Sequence, residues 1–484
     1  MRIFIWLLFI TAIFINWATL KNGHNWGDDF AQYIINARNI IEHKPYTSGV
    51  MLDNDVIYPP GLPLLLAPVL KVFGLSFRVL KILNIFSWFL AIILVYDLFL
   101  RFKYRRLALM VVVFLAFSSL FFTYKQNVLS DIPFFLFVCF SFYTFERWRS
   151  DDPAKQGSLF FTGFLLSMTA ALWLRSAGIT LFASALFYFT FVGRDKRAWS
   201  AVLLVFIINE LLLYPWMGWH TGFWGSIPHE FLRNIANNFS TVFRSLWFFF
   251  CPAQTVFSDR LYDILDPVAS LAAPLLYLLM VWSFIDGIRK RDLSYLECFS
   301  FFYISLLILW SGITVPPDAF SRFVFPLVPF IFIGSKRLLD VLRRYKLDLL
   351  PLARVVFLVL LLINLSNLII IWNFNDDVFN VPENAELVSW VKHHMAPQEH
   401  FMFSKPRALA LLTERTGMPP WIFPDQQRYF IQRVKVFKIT YVIAVKDNDP
   451  RGLAAMLEKN DQFRLVWKNK SYDIFKFISP ALMP

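Results

Sequence analysis

The sequence predicts a polytopic α-helical membrane protein, with a small α/β domain formed by its last hundred residues. Three observations predict it. Apolar stretches of about 20 residues, the length that crosses roughly 30 Å of hydrocarbon, recur along the 484-residue chain. The composition is 57% hydrophobic and 19% aromatic against 17% charged, far too apolar for a chain wetted on all sides. The basic residues behind the net charge of +13 fall in short runs between the apolar stretches, a pattern that fixes membrane orientation. No nucleic-acid partner is expected from such a charge. The cysteines Cys139, Cys251 and Cys298 lie in separate segments, without metal or disulfide spacing.

Eleven spans are expected, near 3–20, 78–100, 107–123, 131–146, 158–174, 177–193, 199–214, 268–287, 294–313, 321–335 and 353–373. The first is long for a signal-peptide core and lacks a small-residue cleavage site, so it reads as retained. The basic segments 101–106, 146–155, 193–199, 288–292 and 335–354 fall on alternate connections, all on one side. That side is cytoplasmic by the positive-inside rule, which puts the N-terminus there too. The other side takes a first loop over 21–77, a Trp-rich loop over 215–267, very short turns, and the tail after residue 375. The expected division is a membrane module over 1–375 and an extracytoplasmic α/β domain over 376–484. In the tail, ENAELVSWVKHHM, RALALLTER and RGLAAMLEKN read as helices, and HFMFS, KITYVIAV and FRLVWKNKSYDIFKF as strands. No Walker motif or Gly-rich strand–turn–helix serves a nucleotide, so a lipid-borne substrate is the natural alternative.

The first loop opens with NWGDDFAQYIINARNI, residues 25–40. Phe30, Ile34, Ala37 and Ile41 share one helical face, which predicts an amphipathic helix on the membrane surface. Asp29 occupies an N-cap position, with Gln32 three residues on as in a capping box. One helix needs one cap, so Asp28 and Asp29 together exceed the structural requirement. A carboxylate at a helix N-terminus stays ionised and ready to accept a proton. Next, VIYPPGLPLLLAP forms a stiff return toward the membrane, where Tyr58 is placed to line a site. In KQNVLSDIPFF, Asp131 opens the fourth span as a first-turn acid or a functional group, and Lys125 in the same turn snorkels, pairs or binds substrate.

Arg175 in LWLRSAG and Arg322 in FSRFVFPLVP are positive charges on the outer side, against the orientation rule. Snorkelling to headgroups is one reason for them; bidentate contact with a phosphate is the other. His220, His229 and Glu230 in the Trp-rich loop read as part of an interfacial belt, and the pairs Asp151–Asp152 and Asp376–Asp377 as linker acids.

Taken in order, the acidic pair after the first span, the YPPG turn, the N-x-x-x-Asp of NVLSD, the apolar-flanked Arg of LWLRS and the SRFVFPLVP segment resemble the GT-C superfamily of polytopic glycosyltransferases. The nearest likeness is to its protein-mannosyltransferase and aminoarabinose-transferase-like branch, over roughly residues 1–375. The resemblance implies an inverting transfer from a polyprenyl-phosphate-linked sugar, on the extracytoplasmic side, to a hydroxyl of a glycolipid, glycan or protein. Asp29, four residues before Tyr33, matches the family's first-loop aspartate; Asp28 stands before it, where the family's second acid follows instead. Either is open as the base. Asp131 matches the second acidic position, Arg322 the arginine near the lipid phosphate, and Arg175, Lys125, Tyr58 and Tyr33 are the accompanying substrate-side candidates. No cofactor and no metal is required by this chemistry; a divalent cation is left open. A bacterial inner membrane is the expected location. The competing expectations are a transporter or lipid flippase, against which stands the absence of matching broken helices in two halves, and a non-catalytic scaffold.

Overall fold

A computed structural model describes residues 2–52, 57–150, 157–217, 284–290, 292–309, 320–329, 331–334, 350–373, 378–420, 427–446 and 452–478, with single positions at 235, 238–239, 241–242, 245, 281 and 343. The chain forms two compact units. One comprises Met1–Leu20, Lys81–Gln126 and Ser130–Phe374; the other comprises Lys21–Leu80, Asn127–Leu129 and Asn375–Pro484. The first long loop, attached to the membrane module in the sequence reading, is thus grouped with the tail.

The first unit is helical. Among the described residues four helical stretches are long and apolar enough to cross a membrane: Phe77–Arg101, Arg105–Tyr124, Gly157–Leu174 and Lys196–Trp216. Shorter apolar helices include Trp6–Ala18, Ser176–Phe191, Tyr295–Leu309 and Arg354–Ile369. The expected span 268–287 lies largely outside the described residues, as do most of 215–267 with His220, His229 and Glu230, and Asp151, Asp152, Asp376 and Asp377. Leu352, Val355, Leu358, Leu362 and Ile369 are exposed along the helix Leu350–Asn373, as are Trp6, Ile10, Phe14 and Trp17 along Arg2–Ala18. Apolar surface on this scale suits lipid rather than water.

The stretch expected as one span over 107–123 is two helices, Arg105–Ala116 and Ser119–Tyr124. Hydrocarbon offers no water to a broken helix, so the freed backbone groups need internal partners. Ser118 Oγ caps the second piece by accepting from Phe121 N at 3.3 Å. Asn364 Oδ1 accepts from Ser119 N at 3.2 Å and from Ser119 Oγ at 2.8 Å. Nearby, buried Trp88 stacks on Phe121 with centroids 4.4 Å apart and donates Nε1 to Leu115 O at 3.1 Å. The helix Tyr295–Leu309 opens with a capping box, Ser294 N and Glu297 Oε2 at 2.8 Å and Glu297 N and Ser294 Oγ at 3.3 Å.

The second unit holds a five-stranded sheet: β1 His400–Met402, β2 Gly417–Met418, β3 Ile439–Val445, β4 Phe463–Lys468 and β5 Tyr472–Phe477, in the order β2-β1-β3-β5-β4. β2, β1 and β3 run parallel; β3–β5 and β5–β4 are antiparallel, with Val442 opposite Phe475. Helices Gln427–Val436 and Leu453–Glu458 bury Phe430, Val434, Leu453 and Leu457 against Met402, Val442 and Phe475. Gly417 is required at β2, because a Cβ there would meet the Phe401 ring 2.3 Å away.

The first-loop helix Asp28–Ile41 packs in this unit against the helices Gly61–Phe73 and Pro406–Thr413. It buries Phe30, Ala31, Gln32, Tyr33, Ile34, Ile35, Asn36, Ala37 and Asn39. Protein covers much of its polar face as well as its apolar one, with Gln32, Asn36 and Asn39 buried. The loop also reaches the sheet, where Leu52 N donates to Gly417 O at 3.2 Å.

Candidate active site

The structure draws the candidate residues into two clusters, one in each unit.

In the second unit, the helix Asp28–Ile41 has Gly27 at its N-cap and both aspartates in its first turn. The expected capping box is absent. The helix begins two residues earlier than the spacing suggested, Gln32 is fully buried, and no side chain caps the end. Asp28 instead caps a different helix. Its Oδ1 accepts from the backbone N–H of Arg407 at 2.9 Å and of Ala408 at 3.1 Å, the second and third residues of Pro406–Thr413. Burial pushes the Asp28 carboxyl above its ordinary value, opposed by the Arg407 guanidinium and the Ala408 amide.

Asp29 is the more exposed of the pair, with 33% of its side chain accessible against 19% for Asp28. Tyr58 Oη donates to Asp29 Oδ1 at 2.7 Å, and Arg407 Nη1 lies 3.6 Å from the same oxygen. Tyr58 is itself fixed. Its carbonyl accepts from Tyr46 Oη at 2.9 Å, its ring stacks on buried Tyr33 with centroids 4.9 Å apart, and Pro59 and Pro60 stiffen the backbone after it. Burial, with the adjacent Asp29 carboxylate, pushes the Tyr58 hydroxyl well above its ordinary value, so it stays protonated and donates. Arg407 completes the cluster. Its side chain is 9% exposed, with Nε 3.7 Å from Asp28 Oδ2 and 3.0 Å from Met51 Sδ, and Nη1 3.5 Å from Tyr58 Oη.

In the first unit, Asp131 opens the helix Asp131–Ser150 and is 4% exposed. Arg175 Nη1 donates to Asp131 Oδ1, and Arg322 Nε lies 4.0 Å from that oxygen. Both guanidiniums rest on the ring of Phe323, at 4.6 and 5.0 Å from its centroid, and the Phe323 carbonyl accepts from Tyr303 Oη at 2.9 Å. The local fold explains how Arg175 is presented. It is the extended residue between the helix Gly157–Leu174 and the 3₁₀ turn Ser176–Gly178. Gly178 folds that turn back so closely that a Cβ would lie 2.5 Å from Leu172 N. Gathering two guanidiniums about one acid is unfavourable in itself, and their planar forks match phosphate geometry.

Lys125 does not snorkel. It is fully buried, with Nζ 3.1 Å from Asn16 O, 3.0 Å from Asn16 Oδ1 and 2.5 Å from Thr19 Oγ1, and it sits 3.5 Å over the Phe122 ring. In this position it satisfies acceptors at the C-terminal end of the helix Arg2–Ala18. Among the described residues no three His, Cys, Asp or Glu side chains gather as a metal-binding group.

Arg407 is the residue that sequence reading missed. The signal lay in SKPRALALL: Lys405 and Arg407 put positive charge at a helix N-terminus, where the dipole disfavours it, so an acid from elsewhere was owed.

Comparison with known proteins follows this geometry. Residues 58–219 match the family model of dolichyl-phosphate-mannose-protein mannosyltransferases. No curated protein matches the sequence. Among solved structures, ArnT from Cupriavidus metallidurans bound to undecaprenyl phosphate is similar over 99% of both chains, at 14% identity and a TM-score of 0.56. The archaeal oligosaccharyltransferase AglB from Archaeoglobus fulgidus, in complex with an inhibitory peptide and a dolichol-phosphate, is similar over 100% of this chain and 75% of that one, at 12% identity and a TM-score of 0.58. Likeness at these identities establishes a shared fold.

Proposed function

We propose that this chain, a membrane-embedded member of the GT-C superfamily of glycosyltransferases, moves a sugar from a polyprenyl-phosphate donor to an acceptor hydroxyl, with inversion, on the extracytoplasmic side. The donor class is supported by the lipid phosphates bound in the similar structures and by the mannosyltransferase family match. The orientation rests on the one-sided basic loops, which put the first loop and the tail outside the cytoplasm. A bacterial inner membrane and a glycolipid, glycan or protein acceptor complete the reading. Superfamily membership favours it over a transporter or flippase.

One observation carries the assignment of the base: Asp28 is engaged as the cap of a distant helix, while the more exposed Asp29 is aimed by Tyr58. Asp29 therefore takes the acceptor proton as the acceptor oxygen attacks C1. The bond from C1 to the phosphate oxygen breaks, and polyprenyl phosphate leaves as an anion that needs positive charge rather than a proton. Arg322 and Arg175 supply that charge. Asp131, paired with Arg175, holds the two guanidiniums in place rather than moving a proton. Lys125 serves the packing of the first helix.

The test is transfer from a panel of radiolabelled polyprenyl-phosphate sugars in membranes holding wild type, Asp29→Asn, Asp28→Asn or Arg322→Ala, with and without a chelator. Asp29→Asn is expected to lose about 100-fold or more of turnover, the usual loss of a general base, while Asp28→Asn stays within about tenfold of wild type. Arg322→Ala is expected to weaken use of the lipid-phosphate donor. No turnover of any such donor by wild type, or equal turnover by every variant, refutes the reading.

A further inference from the structure

The tail's contribution to the first-loop cluster has two separable parts. Docking uses the backbone: the N–H groups of residues 407 and 408 bind Asp28, and any non-proline side chain at 407 would leave them in place. The guanidinium, whose Nε also lies 3.7 Å from Asp28 Oδ2, does something more. It is buried to 9% exposure, lies 3.6 Å from Asp29 Oδ1, and reaches the Tyr58 hydroxyl that donates to that same oxygen. Its Nε is occupied by Met51 Sδ at 3.0 Å, which fixes the plane of the fork. A group needed only to attach the tail would not require this second set of contacts.

We propose that Arg407 is a positioning residue for Asp29: together with Tyr58 it fixes the direction of the carboxylate and keeps it ionised, so that the tail is an integral part of the proton-accepting machinery. This rests on the reading of Asp29 as the base. Around Asp29 stand Tyr58, which donates to it, Arg407 at 3.6 Å and the neighbouring Asp28, while Lys405 and Tyr33 act on Asp28 and Tyr58 beside it. Asp28 and Asp29 repel each other as like charges, and Arg407 places a cation 3.6 Å from Asp29 Oδ1. An adjacent arginine typically lowers an aspartate by about one to three pH units, and the partial exposure of Asp29 puts the expectation at the low end.

The experiment is the pH dependence of kcat/KM for the full-length protein, whose acid limb reports the base of the free enzyme. Arg407→Met, which keeps the backbone cap, is expected to move that limb up by about one pH unit. Arg407→Lys retains the charge and is expected to leave the limb in place. Limbs that superimpose for wild type and Arg407→Met overturn the proposal, whatever happens to the overall rate. If Arg407→Met does not fold, Tyr58→Phe carries the test. It removes the donor to Asp29 and is expected to move the limb upward, and an unmoved limb there overturns the proposal equally. Failure of the underlying reading looks different: Asp29→Asn would then be as active as wild type.

Discussion

Asp28 as the cap of a helix 379 residues downstream makes a claim that local stability can test. Asp28→Ala removes the acceptor for two backbone donors, at 2.9 and 3.1 Å, and leaves Arg407 without one of its two carboxylates. Losing a cap costs ~0.5–2 kcal/mol, and a hydrogen bond to a charged group contributes ~1.5–3 kcal/mol. The desolvation that pushes the Asp28 carboxyl up works against the wild type and offsets part of this loss. A net loss of about 2 kcal/mol follows, equivalent to about 30-fold in a local opening equilibrium. Hydrogen–deuterium exchange of the full-length protein in detergent reads it at the amides of residues 407 and 408. Asp28→Ala is expected to speed their exchange by about 30-fold, while Asp28→Asn, which keeps a carbonyl acceptor, stays within about threefold. The sign with pH follows from the same group. Its folded value is raised above the ordinary 3.8, so its contribution to stability is full below 3.8 and is lost as pH rises through the folded value. Asp28→Asn should therefore gain thermal stability relative to wild type as pH increases above about 4. Unchanged exchange in Asp28→Ala, or exchange in Asp28→Asn as fast as in Asp28→Ala, refutes the cap.

Two further outcomes are expected. Arg175→Ala leaves the 4%-exposed Asp131 with Arg322 at 4.0 Å but without its hydrogen-bonded guanidinium, and should destabilise the protein by ~1.5–3 kcal/mol. The double variant Asp131→Ala/Arg175→Ala should be less affected than Arg175→Ala in thermal melts, and strictly additive effects would contradict the pairing. Gly417→Ala forces a methyl against the Phe401 ring and should cost ~1–3 kcal/mol, partly recovered by Phe401→Leu; a neutral Gly417→Ala would contradict the close approach of β1 and β2.

What the sequence disclosed follows from what leaves a local trace. Asp131, Arg175 and Arg322 were visible because each interrupts apolar sequence, and the structure brings these three together. The apolar, β-branched run KITYVIAV forms β3 where its pattern suggests, buried along most of its length. β2 has two residues and no period to read, and QRYFIQRVKV offers only Phe430 and Val434 as fully buried apolar positions, so that helix went unnoticed. The capping box misled because D-x-x-Q spacing was present while a remote helix competed for the neighbouring acid. The break at residues 117–118 is marked by Ser118 and Ser119, but its repair by Asn364 is a long-range event that leaves no trace in the local pattern.

The bond between residues 28 and 407 also has a consequence in time. A ribosome adding about 5–20 residues per second needs about 20–75 seconds to travel from one to the other, and during that interval the first loop waits without its partner helix. A polypeptide still being threaded into the bilayer therefore lacks the arginine beside its acid.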